Sequence, residues 1–266
     1  MRILAIAINT FREARRSRMF YVILAFAFVV ILTSRAIAWI SSGADLKVIM
    51  DMGLAAIIFF NVIMAIFLGT SLVINEMERQ TLYTILSKPI HRWEYITGKF
   101  TGLCMAMFVS VLVMSLFLVG YYKLMAFQLE LEASSLHAIS TACFFIFVEI
   151  CLLIAVAILI SLLSSPILSA VFSFCVFIIG HGVRALTELI AWLDKLPGVP
   201  FKEGIKKICR FLYYFLPNLD NFDYKAEATH NIWIGWNRFF LSLGYGILYS
   251  CILLLIAVFI FQRKRL

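Results

Sequence analysis

The sequence predicts an all-α, polytopic membrane bundle of six crossing helices, and three observations carry that prediction. Hydrophobic residues make up 63% of the 266-residue chain and charged residues only 14%, with a mean hydropathy of +0.99. Too few polar residues remain to clothe a soluble domain. The apolar residues are gathered into runs, and at ~1.5 Å rise about 20 of them cross a ~30 Å hydrocarbon core. The charges gather between the runs. A spanning backbone must satisfy its own polar groups, so runs of this length become helices. The expected crossings are 19–40, 52–74, 98–122, 137–163, 166–190 and 234–261, within a single domain over 1–266.

Ahead of the first crossing, in 1–18, Leu4, Ile8 and Phe11 recur at helical spacing opposite Asn9, Arg12 and Arg16. That pattern suits an interfacial helix with arginines toward anionic headgroups, and the same basic stretch reads as a topology signal. Met19–Leu32 followed by Ala36-Ile37-Ala38 imitates a cleaved signal peptide. The leader before it is long, so a retained first crossing is favoured.

The loop at 75–97 is more than a connector. Asn75 is placed to cap a helix start with Glu78 three residues on, the spacing of a capping box. Glu76 and Glu78 suit the positive end of a helix, Lys88 suits its last turn, and Pro89 stops it. Met77, Thr81, Leu82, Ile85 and Leu86 share one face, giving an apolar ridge flanked by charge. The loop therefore reads as a docking element for a partner in the same aqueous compartment. A lipid-surface helix is the rival, and an acidic first turn is poorly matched to anionic lipid.

Ser164-Ser165 joins the fourth and fifth crossings as a tight antiparallel hairpin. The loop at 191–233 carries breakers at Pro197, Gly198, Pro200 and Gly204, then Ile205–Leu216, which mixes Lys206, Lys207 and Arg210 with aromatic and aliphatic residues. Aromatics and lysines together mark headgroup depth, so an outer interfacial or re-entrant helix is expected there. Trp233 and Trp236 belong to the aromatic belt at the start of the last crossing. Basic residues gather before the first crossing, in the 75–97 loop and at Arg263-Lys264-Arg265; the 191–233 loop also carries Lys195, Lys202, Lys206, Lys207, Arg210 and Lys225, and is weighted less because it is long and partly offset by acids. The positive-inside rule then puts both termini in the cytoplasm of a multi-pass inner (plasma) membrane protein.

Ionisable groups inside a crossing cost several kcal/mol unless paired. Glu149 lies 15 residues before Ser164 and His181 lies 17 after it, so both stand about 23–25 Å from the turn. Arg184 is a turn further out and Arg35 falls in a similar layer near the outer end of the first crossing. An outward polar cluster of Glu149, His181 and Arg184, with Arg35 as fourth member, is expected. Two roles remain open for it, a transport pathway or a buried pair that fixes packing. Arg184 also stands four residues from Glu188, so its pairing could be local.

The six cysteines contain no CxxC pair, and the four histidines lack metal-ligand spacing. Neither a phosphate loop, a serine elbow nor HExxH occurs, so this chain is not expected to be an enzyme or to bind a metal or cofactor. Net charge is +8, but the basic residues cluster at crossing ends and no recognition motif accompanies them, which excludes nucleic acid as a partner.

Glu76-x-Glu78-Arg79-x-Thr81-Leu82, then Leu86-Ser87-Lys88-Pro89-Ile90-x-Arg92, then Gly98-Lys99 resembles the coupling-helix region of permeases of the type-two ATP-binding-cassette family. Asn9-Thr10-Phe11-Arg12-Glu13 is similar to that family's connecting helix, and Pro217-Asn218-Leu219 with Phe222 to a motif of its last outer loop. The resemblance implies an exporter-like permease subunit that pairs with a second permease copy or paralogue and with cytoplasmic nucleotide-binding ATPase subunits carrying ATP and Mg. It implies that the 75–97 loop seats in the ATPase, with Glu76, Glu78, Arg79, Thr81, Leu82, Ile85, Leu86, Pro89 and Arg92 as the coupling residues. Membrane lipids surround the bundle. The rival readings are a non-transporting assembly or sensor subunit, and an ion-driven secondary transporter using the Glu149–His181 layer; no internal repeat supports the second.

Overall fold

The computed structural model describes residues 2–38, 45–78, 91–130, 136–195, 202–233 and 235–263. Among these residues every regular element is helical: α1 (Arg2–Arg16), α2 (Arg18–Ala38), α3 (Asp45–Glu78), α4 (Arg92–Gln128), α5 (Leu136–Ser161), α6 (Pro166–His181), α7 (Val183–Lys195), α8 (Lys202–Phe215), a 3-10 turn (Leu219–Phe222), α9 (Lys225–Thr229) and α10 (Trp236–Arg263). Helices α2, α3, α4, α5 and α10 are long and apolar enough to cross a membrane, and α6 is a shorter apolar helix. The all-helical membrane bundle read from composition is thus the fold observed.

Helix α5 is the hub, packed against α3, α4, α6, α9, α10 and the 3-10 turn. It is apolar around its whole circumference, and Phe145, Ile150, Leu152, Leu153, Ile154 and Ala155 are wholly buried, as expected of a helix with no solvent-facing stripe. Helices α2 and α10 lie at the periphery, with Phe26, Leu32, Leu248 and Leu255 among their exposed apolar side chains.

Three expectations are corrected. The fifth crossing, expected as one helix over 166–190, is broken. Gly182 leaves the helix at φ −93°, ψ 8° and returns its N–H to Ile178 and Ile179 carbonyls, so α6 has only 16 residues. Asn75 does not start a new helix; α3 runs unbroken through it to Glu78, because nothing in Leu72-Val73-Ile74-Asn75 interrupts a helix already propagating. The cap in this region sits later, where His91 N–H donates to Glu94 Oε2 at 2.9 Å and opens α4 six residues before the expected start at 98. Third, Arg35 does not join the Glu149 cluster, for a reason given below.

The N-terminal helix is built into the bundle. On α4, Gly98 and Gly102 are spaced four apart, and α1 closes onto them: a Cβ at Gly102 would stand 2.5 Å from the Ala7 carbonyl oxygen and 2.6 Å from Thr10 Cβ. Small residues one turn apart permit such backbone approach. Ala7, Thr10 and Ala14 form the buried side of α1, while Leu4 and Ile8 face outward. Lys99, 2% exposed, places Nζ 3.6 Å from Glu13 Oε2, tying α4 to α1.

Candidate functional site

Among the described residues, Glu149 is a buried carboxyl with neither oxygen hydrogen-bonded. It is wholly buried on the hub helix. Its ionisable neighbour is His181, the last residue of α6, whose Nε2 stands 3.5 Å from Glu149 Oε1. The imidazole nitrogens are buried beside the Phe177 backbone, and the Phe177 ring packs 4.8 Å from the imidazole. Buried polar groups are nearly always satisfied, and a carboxylate facing an imidazole in apolar surroundings is the usual exception that carries chemistry. The pair can hold one proton between them.

Above this pair sits a plug, Pro217–Thr229. Pro217 is buried, Leu219 is 0% exposed, Phe222 1%, Tyr224 2% and Ala228 1%. The chain turns inward because Pro217 precedes an Asn218 whose side chain accepts the Asp220 N–H at 3.1 Å, an Asx turn. Glycines let the plug in from two sides. A Cβ at Gly180 would meet Leu219 Cγ at 2.7 Å, and one at Gly246 would meet Val148 at 2.7 Å and the Phe222 ring at 3.1 Å. Gly180 and Val148 immediately precede His181 and Glu149, so the plug closes directly over the pair.

The plug is fastened to the surrounding helices by polar contacts. Asn218 N–H donates to Tyr245 Oη at 2.8 Å, Tyr224 Oη and Ser242 Oγ are 2.8 Å apart, and Arg238 Nη1 lies 3.2 Å from Glu227 Oε1. Thr229 Oγ1 donates to Asp51 Oδ1 on α3. The plug charges that act on Glu149 and His181 are Lys225, Asp223 and Asp220. Sequence reasoning marked Pro217-Asn218-Leu219 and Phe222 only as a motif. Its burial was legible in the apolar positions 219, 222, 224 and 228, which a solvated loop does not need.

Of the expected polar cluster, the structure brings Glu149 and His181 together. Arg35 is elsewhere: its Nη1 donates to Gln128 Oε1 at 2.6 Å and lies 2.8 Å from Met125 Sδ. Helix α2 packs on α3 and α4, so a shared depth does not become a shared face. Arg184 falls in the first turn of α7, beyond the Gly182 break, and its side chain is outside the described residues.

On the opposite side of the bundle, Glu76 and Glu78 occupy the last turn of α3, and their side chains are outside the described residues. Arg79, Thr81, Leu82, Ile85, Leu86 and Pro89 lie outside the described residues altogether. Arg92, expected to touch a partner, is engaged within the chain. Its Nη1 donates to the Phe261 and Gln262 carbonyls at 2.7 and 2.9 Å, and its guanidinium lies 5.6 Å from the Phe261 ring. Those carbonyls belong to the last turn of α10, the negative end of the helix, where a cation is best placed. Tyr95 stacks on the same Phe261 ring at 5.6 Å. Thus α1, the start of α4 and the end of α10 form one tied assembly.

A family model described as ABC-2 family transporter protein matches residues 4–266. Comparison with curated proteins gave no match. The matched span takes in the connecting helix, all the crossings and the plug. In general such permeases associate with an ATP-binding subunit and are not themselves hydrolases. The chain belongs to the ABC-2 transporter family and is a multi-pass membrane permease subunit of that kind.

Proposed function

We propose that this permease is the membrane half of an ATP-driven exporter. Two copies, or one copy and a paralogue, flank the pathway, and separate cytoplasmic subunits bind ATP and Mg and do the hydrolysis. Both termini and the 75–97 loop face those subunits. The observation that carries the reading is the continuity of α3. It spans 34 residues without a break, about 51 Å at ~1.5 Å per residue, well beyond a ~30 Å hydrocarbon core. One end holds Glu76 and Glu78 at the docking loop. Near the other end, Asp51 accepts the hydrogen bond from Thr229 of the plug. A rigid rod with a docking element at one end and the outer closure at the other transmits a push without needing any intermediate to deform.

In this scheme Glu76, Glu78, Arg79 and Thr81 make polar contacts to the ATPase, while Leu82, Ile85 and Leu86 form the seated ridge and Pro89 ends it. Arg92 acts as a positioning residue that holds α10 to the root of α4. The assembly of α1, α4 and α10 gives the loop a fixed base, so closure of the ATPase dimer displaces α3 relative to that base. The expected result for Glu78→Arg is at least a tenfold fall in co-purification of the nucleotide-binding subunit, with the permease's helical content unchanged by circular dichroism. Retention of the partner together with transport-coupled ATP turnover in this variant would falsify the assignment.

A further inference from the structure

The Glu149–His181 pair is neutral only when it holds one proton, and the plug closes directly over it. We propose that the pair is a buried proton-binding site whose single proton latches the plug shut, so that opening is linked to proton release. The inference rests on reading the plug as the outer closure. It requires neither nucleotide nor ATPase partner, so it is tested on the permease alone and fails separately from the coupling scheme.

The geometry supplies the latch. Glu149 is wholly buried with both oxygens unpartnered, and His181 Nε2 is 3.5 Å away. A proton on either atom gives a neutral or internally compensated pair. Removing it leaves a bare carboxylate in an apolar pocket, and adding a second leaves a bare imidazolium; both are strongly disfavoured away from water. When the plug lifts, water reaches both groups and they titrate as ordinary side chains.

The sign follows from proton counting. A hydrated His is neutral above pH ~6.5 and a hydrated Glu is ionised above pH ~4.3. Above pH ~6.5 the open state holds no proton and the closed state one, so closure weakens as pH rises. Between ~4.3 and ~6.5 both states hold one proton, and the balance is flat. Below ~4.3 the open state holds two, and closure weakens again as pH falls. The predicted slope on the alkaline side is about tenfold in open population per pH unit.

Other charged groups face the pair or its plug: Asp220, Asp223 and Lys225 from the plug, Asp51 from α3 at Thr229, the Glu227–Arg238 ion pair, and the exposed His230 after α9. All are retained in the variants below, so their titration cancels in the comparison.

The test is hydrogen–deuterium exchange of peptides covering 217–230 in the purified full-length permease in lipid nanodiscs, from pH 5 to 9, with labelling times scaled to the intrinsic exchange rate. The wild-type plug is expected to be flat below pH ~6.5 and to open about tenfold per unit above it. Glu149→Gln leaves a pair that is neutral with no proton, so the slope moves to the acid side: flat above pH ~6.5, opening as pH falls below it. Should Glu149→Gln fail to fold, His181→Gln leaves the carboxyl as sole proton holder. Its alkaline slope then begins near pH ~4.3, so between pH 5 and 6.5, where the wild type is flat, this variant opens about tenfold per pH unit. A wild-type plug whose corrected exchange is flat from pH 6.5 to 9, or either variant retaining the wild-type profile, overturns the proposal.

Discussion

Replacing His181 by leucine is expected to cost about 3–5 kcal/mol of folding stability, and adding Glu149→Met to the same chain to return most of that loss. The single change leaves a carboxyl that is 0% exposed with no neighbour able to share its proton. Uncompensated buried ionisable groups carry that penalty, whereas apolar replacement of both partners at similar volume is often neutral or stabilising. Met and Leu approximate the shapes they replace, so the double variant keeps its packing against Phe177 and Leu219. A double-mutant cycle from unfolding in detergent, including Glu149→Met alone, reads the coupling directly. If the two single losses simply add, the side chains do not interact, and the latch and the polar layer both lose their basis. The cycle also separates the two roles left open by the sequence. A double variant that folds well but no longer transports marks a pathway group, and one that folds and transports normally marks a packing pair.

The second large effect is expected at Gly102→Val, about 3 kcal/mol of destabilisation with α1 lifted from α4. The clash there is with backbone: the added Cβ would lie 2.5 Å from the Ala7 carbonyl oxygen and 3.1 Å from Ala7 Cα. A flexible side chain can swing away; a helix backbone must move as a whole. The gain in helix propensity on replacing glycine, about 0.5–1 kcal/mol at best, does not offset this. Gly120→Val is the control, because a Cβ at Gly120 meets nothing within 4 Å. Limited proteolysis within α1 and the unfolding midpoint are the readouts. A Gly102→Val protein as stable and as protected as the Gly120→Val protein would show that α1 is not seated as described. With α1 displaced, the ion pair between Glu13 and the buried Lys99 opens.

How much of this was legible depends on which coordinate each feature needs. Rise along a helix is readable from residue counting, and counting from the Ser164-Ser165 turn puts Glu149 and His181 at one depth. Azimuth around the bundle is not readable that way, and Arg35, at a similar depth, turns to Gln128 on α4. The break at Gly182 is a tertiary effect. An isolated glycine inside an apolar run is tolerated in a helix, and the approach of Leu219 and the Pro217 carbonyl to the neighbouring Gly180 is what marks this end of α6 as special. The seating of α1 depended on two glycines whose spacing was visible as Gly98 and Gly102 but whose facing partner was not. Arg92 sits inside a recognisable motif, yet its guanidinium binds the far end of the chain, 169 residues away in sequence. Local pattern identifies such a residue as notable without naming what it touches.

The shortness of α6 has a consequence for the surrounding bilayer. Sixteen helical residues rise about 24 Å, some 6 Å less than a typical ~30 Å hydrocarbon slab. Ile167, Val171, Phe172 and Ile178 stand exposed along that span, so acyl chains beside it are offered too little apolar wall to stay fully extended. Hydrophobic mismatch of this kind is relieved by local thinning, at a fraction of a kcal/mol per Å. Local thinning of the bilayer beside α6 is the expected consequence.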